Sequence, residues 1–391
     1  MIKRMKLDFS NCMKLEISLV ALIILFTIVR QSALISVCFS MSFIVLLCYA
    51  VYRATNTRYN LNLVLLIIVS SVNVIINALT SPEATFGFDY FKKLLMFLAF
   101  MMMLDFAQND NVTRDTYNVV LRLPSTAALI LIGSYFFAGN TGRYAGGITL
   151  GFTNPNFAGM WLIHLFIYVV LWTISIKQKR IVKLMLGFVL AIMAWLIYET
   201  KARSCLIGLV VFMFFYIAGK LIGADVVKKP IVWRAAILLP IVVVLLYQSL
   251  LSAKWFVNLF SAFVSEGKGL DSRLAVWMPA IRAFAISPIL GDYCGISHGT
   301  GMSQLHNTHL DVLCSYGIIS FVLFLQMLFR ISSNTTRGKL RFFNYVAFCG
   351  FLTVVVVGTF EAAIVSGAMG LNILTAGLVV LANYIDEGER I

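Results

Sequence analysis

The chain has 391 residues, 60% of them hydrophobic and 12% charged, with a formal net charge of +14. A soluble domain carries roughly twice that charged fraction, so a water-soluble fold is excluded, and no long polar stretch remains for a separate soluble domain. The basic residues lie in short clusters between apolar runs rather than in a stripe interleaved with aromatics, which excludes a nucleic-acid partner.

The basic start, Met1 to Lys14, is followed by an apolar run from Leu15 with no small-residue cleavage site, so the first span is expected to stay uncleaved. About 20 apolar residues cross a bilayer as a helix. Runs of that kind are expected at roughly 15–29, 32–52, 61–80, 92–107, 117–138, 156–176, 181–198, 204–223, 232–250, 308–330, 342–360 and 363–384. The predicted fold class is therefore an all-α polytopic membrane protein with about 12 transmembrane helices, forming one integral membrane domain over residues 1–391.

With both termini in the cytoplasm, 21 of the 31 Lys and Arg residues fall in inside segments, as the positive-inside bias requires. The remaining ten are Arg30, Lys92, Lys93, Arg143, Lys201, Arg203, Lys254, Lys268, Arg273 and Arg282. One outer segment, 251–307, runs for more than fifty residues without a full span. Its apolar stretches Trp255–Val264 and Leu274–Ile286 are expected to be short helices at the membrane surface. Asp271 or Ser272 is the expected N-cap of the second, and Pro288 and Gly291 its end.

The outer basic residues are informative because topology alone would select against them. Arg143 lies in the glycine-rich stretch Gly139–Gly147, followed by Asn154-Pro155-Asn156. Arg203 lies in Glu199-Thr200-Lys201-Ala202-Arg203-Ser204, a polar interruption between two spans, and Arg273 opens the helix that contains Trp277 and Arg282. A guanidinium offers a planar fork of donors that matches phosphate oxygens, so arginines aimed at one outer cavity are suited to a diphosphate. His164 reads as a packing residue and His298 as a solvated one. His306 and His309, in His306-Asn307-Thr308-His309, are three apart and are expected to share one helix face at the outer mouth. A histidine there can take the proton of an attacking hydroxyl. No convergent carboxylates accompany the pair, so neither a metal nor another cofactor is expected.

These residues, in this order, resemble the O-antigen ligase/polymerase family of bacterial membrane glycosyltransferases. The resemblance runs through Thr200–Ser204, Ser272-Arg273-Leu274-Ala275-Val276-Trp277, Ser287-Pro288-Ile289-Leu290-Gly291, and His306-Asn307 followed after nine residues by Gly317. It covers about residues 195–330, with Arg143 and Asn154-Pro155-Asn156 in addition. It implies a GT-C-type fold in the inner membrane, a donor glycan on undecaprenyl diphosphate, and metal-independent, inverting transfer at the periplasmic face. Arg203 and Arg273 would hold the diphosphate and His306 would activate the acceptor hydroxyl. Arg143, Lys201, Arg282, Asn307 and His309 would contact substrate, among membrane lipids and with a chain-length regulator as a further partner. The acceptor would be a growing glycan for a polymerase or lipid A–core for a ligase. The 33 residues from Arg273 to His306 are short beside ligases of this type, which favours the polymerase.

A lipid-linked glycan flippase is the competing class. Its ionisable residues would lie within the membrane, where Asp105, Glu199, Asp311 and Glu361, all near span ends, are the candidates. The spacing of Ala362, Ser366 and Gly370 signals close helix packing.

Overall fold

The structure is a computed structural model and describes residues 8–56, 60–80, 88–110, 112–137, 142–144, 146–176, 180–254, 257–258, 273–292, 305–337, 340–361 and 369–385. The expected N-cap at Asp271 or Ser272, Lys268, His298, most of the surface helix at 255–264, and Ala362 and Ser366 lie outside the described residues.

Five helices come first: α1 (Phe9–Ile28), α2 (Ser32–Asn56), α3 (Leu61–Thr80), α4 (Phe88–Asn109) and α5 (Arg114–Phe137). A small antiparallel hairpin follows, β1 (Arg143–Tyr144) with β2 (Gly147–Ile148). Next are α6 (Pro155–Ser175), α7 (Arg180–Glu199), α8 (Arg203–Leu221) and α9 (Pro230–Ser252). The short α10 (Leu274–Ile286) precedes α11 (Thr308–Arg337), α12 (Phe342–Val357) and α13 (Met369–Asn383). A described helix thus overlaps each position where the hydropathy pattern predicts a span, and α10 coincides with the second expected surface stretch.

Nine described helices, α1, α2, α3, α5 through α9 and α11, are long and apolar enough to cross a membrane. They turn Ile68, Phe188, Phe214 and Leu245 outward, an apolar exterior that suits lipid and would aggregate in water. The chain is a multi-pass, all-α membrane protein. The other three long helices depart from that pattern. Helix α4 carries Lys92, Lys93 and Asp105. Helix α12 has 16 residues, about 24 Å of rise against a hydrocarbon thickness of about 30 Å, and of α13 the 15 residues Met369–Asn383 are described.

Helices α6, α12 and α13 are apolar all round and buried on nearly every face, as a helix surrounded by others must be. Helix α12 packs against α8, α13, α9 and α6, with α1, α4 and α5 closing the far side of α13. Small residues set the spacing: a Cβ on Gly208 would strike Val357, and one on Gly370 would meet the Trp161 ring at 2.6 Å. Local signals start the helices where they are needed. Asn154 accepts the Phe157 N–H at 2.8 Å and Pro155 takes the first position of α6, so the missing proline donor is one no helix start would use.

Helix α11 corrects the expectation of a single span over 308–330. Gly317 has φ 81° and ψ 172° and breaks it. The His309 ring lies 5.3 Å from that of Phe324, although fifteen residues of straight helix would separate them by about 22 Å. The segment 308–316 therefore folds back on 318–337, and the part able to cross begins at Ile318. A Cβ at Gly317 would collide with the Ile289 carbonyl, and one at Gly291 would lie 2.7 Å from the Cys314 oxygen. The Ile318 amide donates to the Pro288 carbonyl and the Asp292 amide to that of Cys314. Asn73 and Asn77 of α3 donate to the carbonyls of Tyr316, Ile289 and Leu290. The motif elements around Gly291 and Gly317 are thus two sides of one backbone contact.

Candidate active site

The hairpin, the starts of α6, α8 and α10, and the end of α12 meet at one end of the bundle. Gly147 of the hairpin is pressed on the Thr200 carbonyl and on Pro155, so a side chain there would push the hairpin off both helices. The polar interruption between α7 and α8 is a tight turn. Lys201 adopts φ 55°, Thr200 donates its hydroxyl to the Ile197 carbonyl at 2.6 Å, and the Ala202 amide donates back to that hydroxyl. The turn sends its two cations apart. The Lys201 ammonium rests 4.1 Å over the Tyr198 ring, while Arg203 is half-buried at the start of α8, where the charges of Arg273 and Glu361 reach it.

Arg273 immediately precedes α10. One turn on, Trp277 donates its indole N–H to the Leu305 carbonyl at 2.8 Å and packs against Tyr247 and Phe360. That anchor fixes α10 against the chain leading into His306. On the other side, Asn307 is fully buried and donates to the carbonyls of Pro240 and Thr359 at 2.9 and 2.8 Å. Its oxygen accepts the Leu310 amide at 2.8 Å. His306 is held between two pinned residues with φ 51°, a left-handed conformation that costs a non-glycine residue on the order of 1–3 kcal/mol. Its ring is turned toward Glu361.

Glu361 is the hub. Its side chain is 5% exposed. One oxygen accepts the Asn156 amide at 2.8 Å and Arg273 Nη2 at 3.2 Å. The other faces His306 Nδ1 at 3.1 Å. Thr308 donates its hydroxyl to the Glu361 backbone carbonyl. A buried carboxylate needs such partners, and here they come from three separate parts of the chain. Two guanidiniums share this one acid, because Arg203 forms no ion pair among the described residues. Among the described residues the cluster therefore carries more positive than negative charge, an arrangement that an anionic ligand would complete.

The sequence-predicted residues divide accordingly. Arg203, Arg273 and His306 converge. Arg143 lies on the hairpin at the rim, mostly exposed, with Nη2 3.9 Å from Glu199, and stays outside the Glu361 cluster. Arg282 is exposed, nine residues past Arg273 and therefore half a helical turn round α10 on the opposite face. Asn307 braces backbone rather than facing the recess. His309 is fully buried, edge-on to Phe321 and Phe324. The expectation that His306 and His309 share a helix face fails because His306 precedes the helix in a left-handed conformation. Lys93 is neither solvated nor in the cluster, for it pairs with buried Asp311 at 2.7 Å. His164 is buried as expected, bonded to the Met160 carbonyl and the Thr375 hydroxyl.

Two members of the cluster did not enter the expected site. Glu361 is an acid at a span end, and in the sequence it is a candidate only for the ionisable residues of a flippase. Asn156 stands in the Asn-Pro-Asn stretch, where the first asparagine caps the helix and the second reaches the acid. Among the described residues, no three His, Cys, Asp or Glu side chains are grouped to hold a metal ion. The chain matches no family model, no curated protein and no solved structure.

Proposed function

We propose that the chain is a glycosyltransferase of the bacterial inner membrane, a surface-polysaccharide polymerase. It moves an undecaprenyl-diphosphate-linked glycan onto an acceptor sugar hydroxyl. The observation that carries this reading is the meeting of Arg273 and His306 on one buried carboxylate, with Arg203 within reach of their charges and His306 Nε2 left unpartnered among the described residues. In this reading all twelve long helices cross the membrane in a GT-C-type arrangement, with both termini cytoplasmic and the recess open to the periplasm. The distribution of basic residues supports that orientation.

Arg203 and Arg273 bind the diphosphate and neutralise its charge as it departs. His306 Nε2 takes the proton of the acceptor hydroxyl while the oxygen attacks the anomeric carbon. The bond from that carbon to the diphosphate oxygen breaks, its electron pair leaves with the diphosphate, and the configuration inverts. The two guanidiniums supply the positive charge for which other transferases use a metal ion. Arg143 and Lys201, at the rim, are placed for the glycan rather than the diphosphate.

A ligase that transfers finished polysaccharide to lipid A–core would use the same groups. The short Arg273–His306 interval favours the polymerase. The surface glycan of a deletion strain separates the two. Core bearing one repeat unit indicates a polymerase, unattached lipid-linked polymer indicates a ligase, and an unchanged glycan refutes both.

A further inference from the structure

We infer that Glu361 is a positioning residue that sets donor and acceptor in register, holding Arg273 on one carboxylate oxygen and the Nδ1–H of His306 on the other. This role rests on the transfer reading above. An ionised carboxylate only accepts hydrogen bonds, so the 3.1 Å contact with Nδ1 makes that nitrogen the donor. The proton on Nδ1 leaves the lone pair on Nε2, the nitrogen without a partner among the described residues. A histidine base needs this tautomer and a fixed ring, and a buried acid on the far nitrogen supplies both.

The same carboxylate steers the diphosphate side. Arg273 spends one Nη2 contact on Glu361 and keeps the other donors of its guanidinium for a ligand. Asn156, at 2.8 Å from the oxygen that Arg273 shares, holds the carboxylate when an incoming diphosphate draws on Arg273. The acid itself is fixed from behind, because its backbone carbonyl accepts the Thr308 hydroxyl and Thr359, two residues earlier, is tied to Asn307. The acid that orients the base is thus built from the same backbone turn that pins the base. Asn156, Arg273 and His306 lie 205, 88 and 55 residues from Glu361, yet their polar atoms meet within one carboxylate's reach.

The test uses the full chain reconstituted in vesicles. Its probe is the undecaprenyl-diphosphate-linked repeat unit isolated from cells lacking the protein. Glu361→Gln should lower kcat by about 10²–10⁴-fold, the scale of losing a histidine's orienting acid, with KM for the probe changed less than about threefold. Glu361→Asp should recover part of the rate. In a His306→Ala background, Glu361→Gln should cost far less than it does in the wild type, because only the hold on Arg273 remains to be lost once the base is gone. A nitrogen-15 spectrum of labelled histidine should show His306 as the Nδ1–H tautomer, with that signal redistributed in Glu361→Gln. Full kcat in Glu361→Gln, multiplicative losses in the double variant, or an unmoved tautomer signal would each overturn this role while leaving the transfer reading intact. A wild-type protein with no transfer activity would overturn both.

Discussion

Asn307 offers a clean separation between holding the recess and binding what enters it. In Asn307→Ala three hydrogen bonds disappear at once: two donated to the carbonyls of Pro240 and Thr359, and one accepted from the Leu310 amide. All three lie at a fully buried side chain. A single protein hydrogen bond contributes about 0.5–1.5 kcal/mol net, and side-chain bonds within membrane proteins average about 0.6 kcal/mol. The loss should therefore be about 2–4 kcal/mol, added to a transfer defect that comes from a loosened His306. The assay is a pair of measurements on the same purified protein, unfolding by denaturing-detergent titration and transfer rate. Asn307→Ala should fall in both, whereas Arg203→Ala should fall in transfer alone. An Asn307→Ala protein with wild-type unfolding and only a raised KM would refute the bracing role and make the side chain a ligand contact.

The other expectations follow from placement. Arg203→Lys should lose most of the activity, on the order of 10²-fold, because an ammonium cannot reproduce a bidentate fork, while Arg282→Ala, on the exposed far face of α10, should transfer at a near-normal rate. Gly317→Ala should lower the folded yield in membranes, since the new Cβ collides with the Ile289 carbonyl at a left-handed backbone position; normal yield and activity would show that the break in α11 tolerates a side chain. Lys93→Met alone should destabilise the fold by about 3–5 kcal/mol by leaving Asp311 buried and uncompensated, and Lys93→Met with Asp311→Leu should restore most of that in the same titration. Chelation with EDTA should leave transfer unchanged, and a loss reversed by a divalent ion would assign the diphosphate to a metal instead of Arg203 and Arg273.

Much of the architecture was legible in residue order because it depends on local properties. Helix length and apolarity are read off a window of residues, and the described helices stand where hydropathy puts them. Even α10, only 13 residues long, was visible as an apolar stretch too short to cross. Arg203 and Arg273 stood out because an arginine on the expected outer side resists the rule that orients the other basic residues, and His306 because it opens a span on that side. The same reading misplaced His309 and Arg282, since helical spacing was applied across a residue that is not helical and without knowing which face of α10 meets the bundle. It read Gly291 as the end of a helix and Gly317 only as an element of a motif, and did not show that each glycine lets two backbones touch.

By itself the sequence determined that this chain is a multi-pass membrane protein, where its helices run, and which cations stand at the loops. Only the tertiary structure decided that Glu361 joins Asn156, Arg273 and His306, because that meeting depends on long-range packing that no local pattern encodes. The fold-back at Gly317 and the left-handed conformation of His306 belong to the same class, for contacts from distant parts of the chain hold them. A carboxylate at a span end has one meaning in the sequence and another once three donors surround it. The hydrophobic pattern sets where helices form, but the Glu361 cluster exists only after α6, α10 and α12 have packed.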